Sequence, residues 1–167
     1  MIRSIARAVE PSGRMSIRPG RTCVKVADIL RAKGSAVMTV RPTDTIVMLA
    51  HRLKLERVGA MIVSRDGETI DGIISERDIT HGISEHGAEL PGLQVADLMT
   101  KAVVTCSPDD TIADIARIMT GRRVRHLPVK EHGRLAGVVS VGDVVKHRID
   151  EMEMEANVLR DYAIARQ

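Results

Sequence analysis

The 167-residue sequence contains no Phe, no Trp and a single Tyr, Tyr162. Proteins that hold single-stranded nucleic acid stack its bases on aromatic rings, so a nucleic-acid partner is not expected. Any planar ligand must lie between aliphatic side chains and peptide planes. Cysteine is nearly as scarce: Cys23 and Cys106 are too few and too far apart for a disulfide framework or a thiolate zinc site. A reducing compartment is the expectation. No apolar run approaches the roughly 20 residues that cross a membrane, so no membrane association is expected. The sequence lacks both G-x-G-x-x-G and a Walker loop, which removes the dinucleotide and P-loop phosphate sites. It also lacks a nucleophile–base pair, and His81 and His86 miss the i, i+4 spacing of a helical metal pair. Neither enzymatic activity nor a metal site is expected.

What is present reads as an ordinary soluble chain, 44% hydrophobic and 28% charged. The 25 basic and 22 acidic side chains are unevenly placed. Residues 1–34 hold eight Lys or Arg and two acids, a local +6, which leaves 17 basic against 20 acidic in the remainder. The body is therefore no basic nucleic-acid surface. Residues 1–23 read as a flexible basic arm broken by Pro11, Gly13, Pro19 and Gly20. An Arg-rich, acid-poor start also fits an organellar transit peptide, so the expected location is cytoplasmic, or the mitochondrial matrix if the arm is a targeting segment.

After the arm, the chain repeats itself. Val26-Ala27-Asp28-Ile29-Leu30 returns as Val95-Ala96-Asp97-Leu98-Met99, Pro42-Thr43-Asp44-Thr45-Ile46 as Pro108-Asp109-Asp110-Thr111-Ile112, and Gly72-Ile73-Ile74-Ser75 as Gly137-Val138-Val139-Ser140. Arg57-Val58 matches Arg123-Val124. The copies fall at residues 24–90 and 91–150, with 151–167 continuing a last helix. A unit of about 60 residues buries too little surface to be comfortable alone, so the two copies should pack as one module. In each, a Thr follows the Asp in an N-capping context, and apolar residues then recur at i, i+3, i+4, i+7: Ile46, Leu49, Ala50, Leu53 and Ile112, Ile115, Ala116, Met119. Gly59 and Gly121 fall near the expected ends of these helices. Strands are expected at Ala60–Val63 and Leu127–Val129, each turning back into Ile73-Ile74 or Val138-Val139, with a helix from Asp78 or Asp143. In the last helix Val145, Ile149, Met152, Ala156, Leu159 and Ala163 are spaced by four and three, as in an a/d seam.

Two β-α-β-β-α copies, each carrying Gly-x-x-Ser-x-x-Asp after its third strand, resemble a tandem pair of cystathionine-β-synthase (CBS) domains, the Bateman module. Ser75-Glu76-Arg77-Asp78, Arg125-His126-Leu127-Pro128-Val129 and Ser140-Val141-Gly142-Asp143 are similar to stand-alone CBS-pair proteins of proteobacteria and plant organelles. The resemblance covers residues 24–150. It implies an α/β (α+β) fold in which the repeats pack by pseudo-two-fold symmetry through their sheets. It also implies clefts that bind adenosyl ligands: AMP, ADP, ATP, NAD(H) or S-adenosylmethionine. One cleft would join Thr39, Val40 and Ala60 to Ser140 and Asp143. The other would join Thr105, Arg125, His126 and Pro128 to Ser75 and Asp78.

The chemistry of these residues suits such a ligand. A carboxylate accepts hydrogen bonds from both ribose hydroxyls, and a serine at a helix start lies beside free N–H groups that favour a phosphate. Arg77, Arg122, Arg123, Arg125 and His126 supply positive charge. The plain alternative for Asp78 and Asp143 is helix capping, and Asp109-Asp110 reads as a cap rather than an acid–base pair. Gly59-Ala60 stands where the second copy has Arg125-His126, so the clefts are chemically unequal. The expected role is that of a non-catalytic regulator of a separate effector protein, assembled as a homodimer. A ligand-free interaction scaffold, or a redox-linked regulator of thioredoxin-type partners, is the competing reading.

Overall fold

The computed structural model describes residues 24–164; the basic arm and Cys23 lie outside the described residues. Each copy builds its own small sheet. In the first, β1 (Thr39–Val40) runs parallel to β2 (Ala60–Val63), which pairs antiparallel with β3 (Gly72–Ser75) in the register Ala60 with Ser75 and Val63 with Gly72. In the second, β4 (His126–Glu131) pairs antiparallel with β5 (Arg134–Ser140), His126 opposite Ser140. The expected first strand of this copy is reduced to a single parallel bridge, in which Cys106 N donates to the Pro128 carbonyl at 3.0 Å and Lys130 N donates to the Cys106 carbonyl at 2.8 Å.

The helices are α1 (Val26–Lys33), α2 (Ile46–Glu56), α3 (Glu76–His86), the single turn α4 (Val95–Leu98), α5 (Ile112–Arg122) and the long α6 (Val141–Ile164). The matched α2 and α5 start alike. Thr45 and Thr111 are the N-caps, their hydroxyls accepting from Met48 N and Asp114 N. The preceding Asp44 and Asp110 bond back to Arg41 N and Ser107 N, so the acid of each Asp-Thr pair closes a turn rather than capping the helix. Asp109 instead pairs with Lys25 at 2.8 Å. Both helices end near these glycines, but the C-caps are Arg57 (φ 54) and Arg123 (φ 55), two non-glycine residues in the left-handed region at matching positions.

The two cores are completed by exchange. Val26 and Ile29 of α1 open the first copy in sequence, yet they are buried with Ile115, Leu127, Val129 and Val139 of the second. Val95 of α4 opens the second copy and is buried with Leu49, Met61, Val63 and Ile74 of the first. Backbone hydrogen bonds hold both dockings in the same way. Val26 N and Ala27 N donate to Asp110 and Pro108 carbonyls, while Val95 N and Ala96 N donate to those of Asp44 and Pro42. Neither side chain of the pair Val26 and Val95 keeps any exposure. Burying each contributes on the order of 1.5–3 kcal/mol. The apolar face of either core would be open without the other copy's leading helix, which is the physical reason the repeats form one module.

Two glycines admit these helices. A Cβ on Gly137 of β5 would lie 2.6 Å from Leu30 Cδ2, and one on the matching Gly72 of β3 would lie 2.7 Å from Met99 Sδ. Leu30 and Met99 are themselves matched in the repeat, so each small residue accepts the same position of the exchanged segment.

Candidate functional site

The sequence Ser-x-x-Asp forms the same local structure twice. Ser75 and Ser140 end their strands, and the Asp three residues on is the third residue of the helix that follows. Ser75 N and Ser75 Oγ both donate to Asp78 Oδ2, at 2.7 and 2.6 Å. Ser140 N and Ser140 Oγ donate to Asp143 Oδ2, at 2.7 and 2.8 Å. In return Asp143 N donates to Ser140 Oγ at 3.3 Å. This is a capping box with Asp in the place usually held by Glu or Gln. The helices thus begin at Glu76 and Val141, two residues before the carboxylates, and the caps are the serines. Each carboxylate spends one oxygen on this box. Oδ1 of both has no hydrogen-bond partner among the described residues.

Around Ser75 and Asp78 lies a cavity of about 280 Å³ whose other wall comes from the second copy. Arg77, Glu76, Gly59 and Ala60 line it from the first copy, and Arg123, Val124, Arg125 and His126 from the second, with Ala102, Val103 and Val104 along one side. The volume sits near the lower end of the roughly 300–1,000 Å³ usual for small-molecule sites. The structure thus brings together Ser75, Arg77, Asp78, Arg125 and His126. It does not bring Thr105 or Pro128 to that cavity. Pro128 is buried within β4 opposite Val138, and its carbonyl is taken by Cys106 N.

A second cavity, about 370 Å³, lies beside Ser140. Ala60 and His126 line it again, together with Lys33, Val37, Met38, Arg57 and Val138. Lys33 Nζ reaches Asp143 Oδ2 at 2.7 Å, so this carboxylate, unlike Asp78, is ion-paired. Burial opposes the charge on Asp143, but the bonds from Lys33 and Ser140 outweigh it and hold its carboxyl below the usual range. Thr39 instead faces a separate polar cavity with Arg41 and Ser64, and Val40 is buried in the first core, its carbonyl accepting from Ser64 N.

His126 lines both cavities. A Cβ on Gly59 would lie 3.5 Å from its Cε1, so the ring stands close beside the first copy at Gly59. Burial, reinforced by Lys33 and Arg125, pushes its pKa down against the pull of Asp143 and Glu76. Its surroundings thus favour the uncharged ring over the imidazolium. Positive charge comes from Arg77, Arg123 and Arg125 in one cleft and from Lys33 and Arg57 in the other. Lys33 carries no motif signal and Arg57 shows only as the repeat match of Arg123: their place follows from the docking of α1 and the left-handed end of α2.

The CBS domain family model matches residues 26–85 and 95–150. The chain belongs to the CBS-domain family. The crystal structure of the CBS-domain containing protein ATU1752 from Agrobacterium tumefaciens is similar at 43% identity with a TM-score of 0.73, over 75% of this chain and 99% of that one. The mitochondrial CBS domain-containing protein CBSX3 of Arabidopsis thaliana is 30% identical over 145 residues, 82% of this chain and 70% of its own length. CBSX2, solved in complex with AMP, shares the fold at 23% identity and a TM-score of 0.62, over 77% of this chain and 98% of that one. The protein is therefore a CBS pair, a regulatory module of mixed helix and strand built from two repeats. Among the described residues no helix is long and apolar enough to cross a membrane.

Proposed function

We propose that this CBS pair is a non-catalytic sensor that binds one adenosyl ligand in the cleft of Ser75 and Asp78 and passes its occupancy to a separate effector protein. The observation that carries the reading is the pairing, around one cavity, of a carboxylate with a free oxygen and two guanidinium-bearing residues from the opposite copy, Arg123 and Arg125. The carboxylate suits a vicinal diol and the guanidiniums suit a phosphate. Gly59 and Ala60 leave room for a flat ring against the backbone between Val103, Val104 and Val124. CBS pairs of the same fold have been solved with AMP, and with 5'-methylthioadenosine and S-adenosylmethionine. AMP, ADP, ATP, NAD(H) and S-adenosylmethionine are the candidates. The Asp143 cleft ranks second, because a ribose there must compete with Lys33.

Calorimetry with AMP, ATP, NAD, NADH and S-adenosylmethionine tests this on the intact chain and on Asp78→Asn. A hydrogen bond to a charged group is worth about 1.5–3 kcal/mol, so the variant should bind roughly ten- to a hundred-fold more weakly. Unchanged affinity in a folded Asp78→Asn protein removes Asp78 from the site. Absence of binding by the intact chain to every candidate favours the ligand-free scaffold.

A further inference from the structure

α6 leaves the body with an apolar seam that nothing among the described residues covers. Val145, Ile149, Met152 and Leu159 are 51%, 50%, 57% and 70% exposed. With Ala156 they occupy heptad positions: Val145, Met152 and Leu159 at d, Ile149 and Ala156 at a. This assignment places Arg148 and Glu155 at g, and Lys146, Glu153 and Arg160 at e. We propose that this seam is the docking surface for α6 of a second copy of the chain, and that the two helices pair in parallel and in register.

The charges favour the parallel pair over the antiparallel register that keeps the whole seam from Ile149 to Leu159 in contact. In a parallel pair each g residue faces the e residue five positions on in the partner helix, which sets Arg148 against Glu153 and Glu155 against Arg160, each twice by symmetry. An antiparallel pair that matches Ile149 with Leu159 and Met152 with Ala156 would set Glu153 against Glu153, Glu155 against Glu155 and Lys146 against Arg160. Every one of those is repulsive. Arg148 is also ion-paired along its own helix to Glu151, a contact exposed enough to exchange for an interhelical one. A free helix of this length is marginal in water, but the start of α6 is anchored by Val144, which packs into the second core. The turns from Val145 onward then extend from a preformed nucleus.

A cysteine at an a position reads the geometry directly, because in a parallel in-register pair the two copies of that residue face one another. Ala156→Cys is placed in a full-length Cys23→Ser chain, in which buried Cys106 is the remaining thiol. Mild oxidation should give a covalent dimer. One charge variant carries Glu153→Lys with Glu155→Lys, the other Arg148→Glu with Arg160→Glu. Each alone should lower the covalent yield several-fold, and mixing the two should restore it as a heterodimer. Helicity by circular dichroism confirms that α6 persists in each. No covalent dimer from Ala156→Cys, or a yield indifferent to both charge variants, overturns the proposal. So does cross-linking of Met152→Cys with Ala156→Cys in preference to Ala156→Cys with itself, the mark of antiparallel pairing.

Discussion

Lys33 Nζ stands 2.7 Å from Asp143 Oδ2, joining the last residue of α1 to the third residue of α6 across 110 positions of sequence. The contact exists because α1 docks on the second copy rather than on the first. It ties the exchanged helix to the cleft beside Ser140. Asp143 is held below the ordinary carboxylate range, so its pairing adds stability that is fully present above the unfolded value of about 3.9 and is lost as pH falls through the folded one. Lys33→Met should therefore be less stable than the intact chain at pH 7, with the gap closing as the carboxyl protonates. Urea midpoints at pH 7, 5 and 3 measure this. A gap of constant size down to pH 3 would show that the ion pair contributes nothing.

The repeat made most of the fold legible, because matched residues do matched work: Thr45 and Thr111 cap, Gly72 and Gly137 admit a side chain, Ser75 and Ser140 open helices. The exchange of α1 and α4 was not legible. Val26 and Val95 announce an apolar face, and a local pattern is silent on which of two similar cores receives it. Gly59 and Gly121 do fall near the helix ends, but the left-handed caps are Arg57 and Arg123, which no conventional stop signal marks. The Asp78 cleft was largely readable from its motif and its neighbours Arg125 and His126. Thr39, Val40, Thr105 and Pro128 were carried over from the family resemblance, and for Thr39 and Val40 whether a strand residue faces a cleft or a core depends on a one-residue alternation that a two-residue strand barely displays.

The exchange predicts where a single methyl group is costly. A Cβ at position 137 would lie 2.6 and 2.8 Å from the two Leu30 methyl carbons, and Leu30 packs against the second core. Gly137→Ala must push α1 outward or force Leu30 off its rotamer, at a cost of about 1–3 kcal/mol. Leu30→Ala should recover part of that loss when combined with it, since the clash partner is gone. Denaturant unfolding of the two single variants and the double settles the coupling. Additive losses would mean that Gly137 is small for some reason other than Leu30.

Cys106 bears on the redox-linked reading. Burial, with Asp110 adding negative charge nearby, pushes its thiol up to about 12, and a thiol at that value is almost wholly protonated at physiological pH. Native protein treated with iodoacetamide at pH 8 should leave Cys106 unmodified by mass spectrometry, while unfolding in urea should expose it. Labelling of Cys106 in the native state at the rate of a free thiol would contradict this and return it as a redox element.

His126, shared by the two cavities, offers the most direct report of ligand. Its pKa is depressed chiefly by burial, so the folded protein prefers the neutral ring. Stability from this group is complete above the unfolded value of about 6.5 and declines as pH falls toward the folded value, because the unfolded chain takes up the proton first. His126→Gln should flatten that part of the stability profile. In the intact protein a Cε1–H titration followed by NMR should give a midpoint below 6.5, and saturating AMP should raise it, because a phosphate beside the ring favours the imidazolium. Adenosine, which brings no phosphate, should raise it less. A midpoint at or above 6.5 in the free protein would show that the ring is solvated and charged more easily than its burial against Gly59 allows. An equal shift with adenosine and AMP would place the phosphate away from the wall that Arg125 and His126 share.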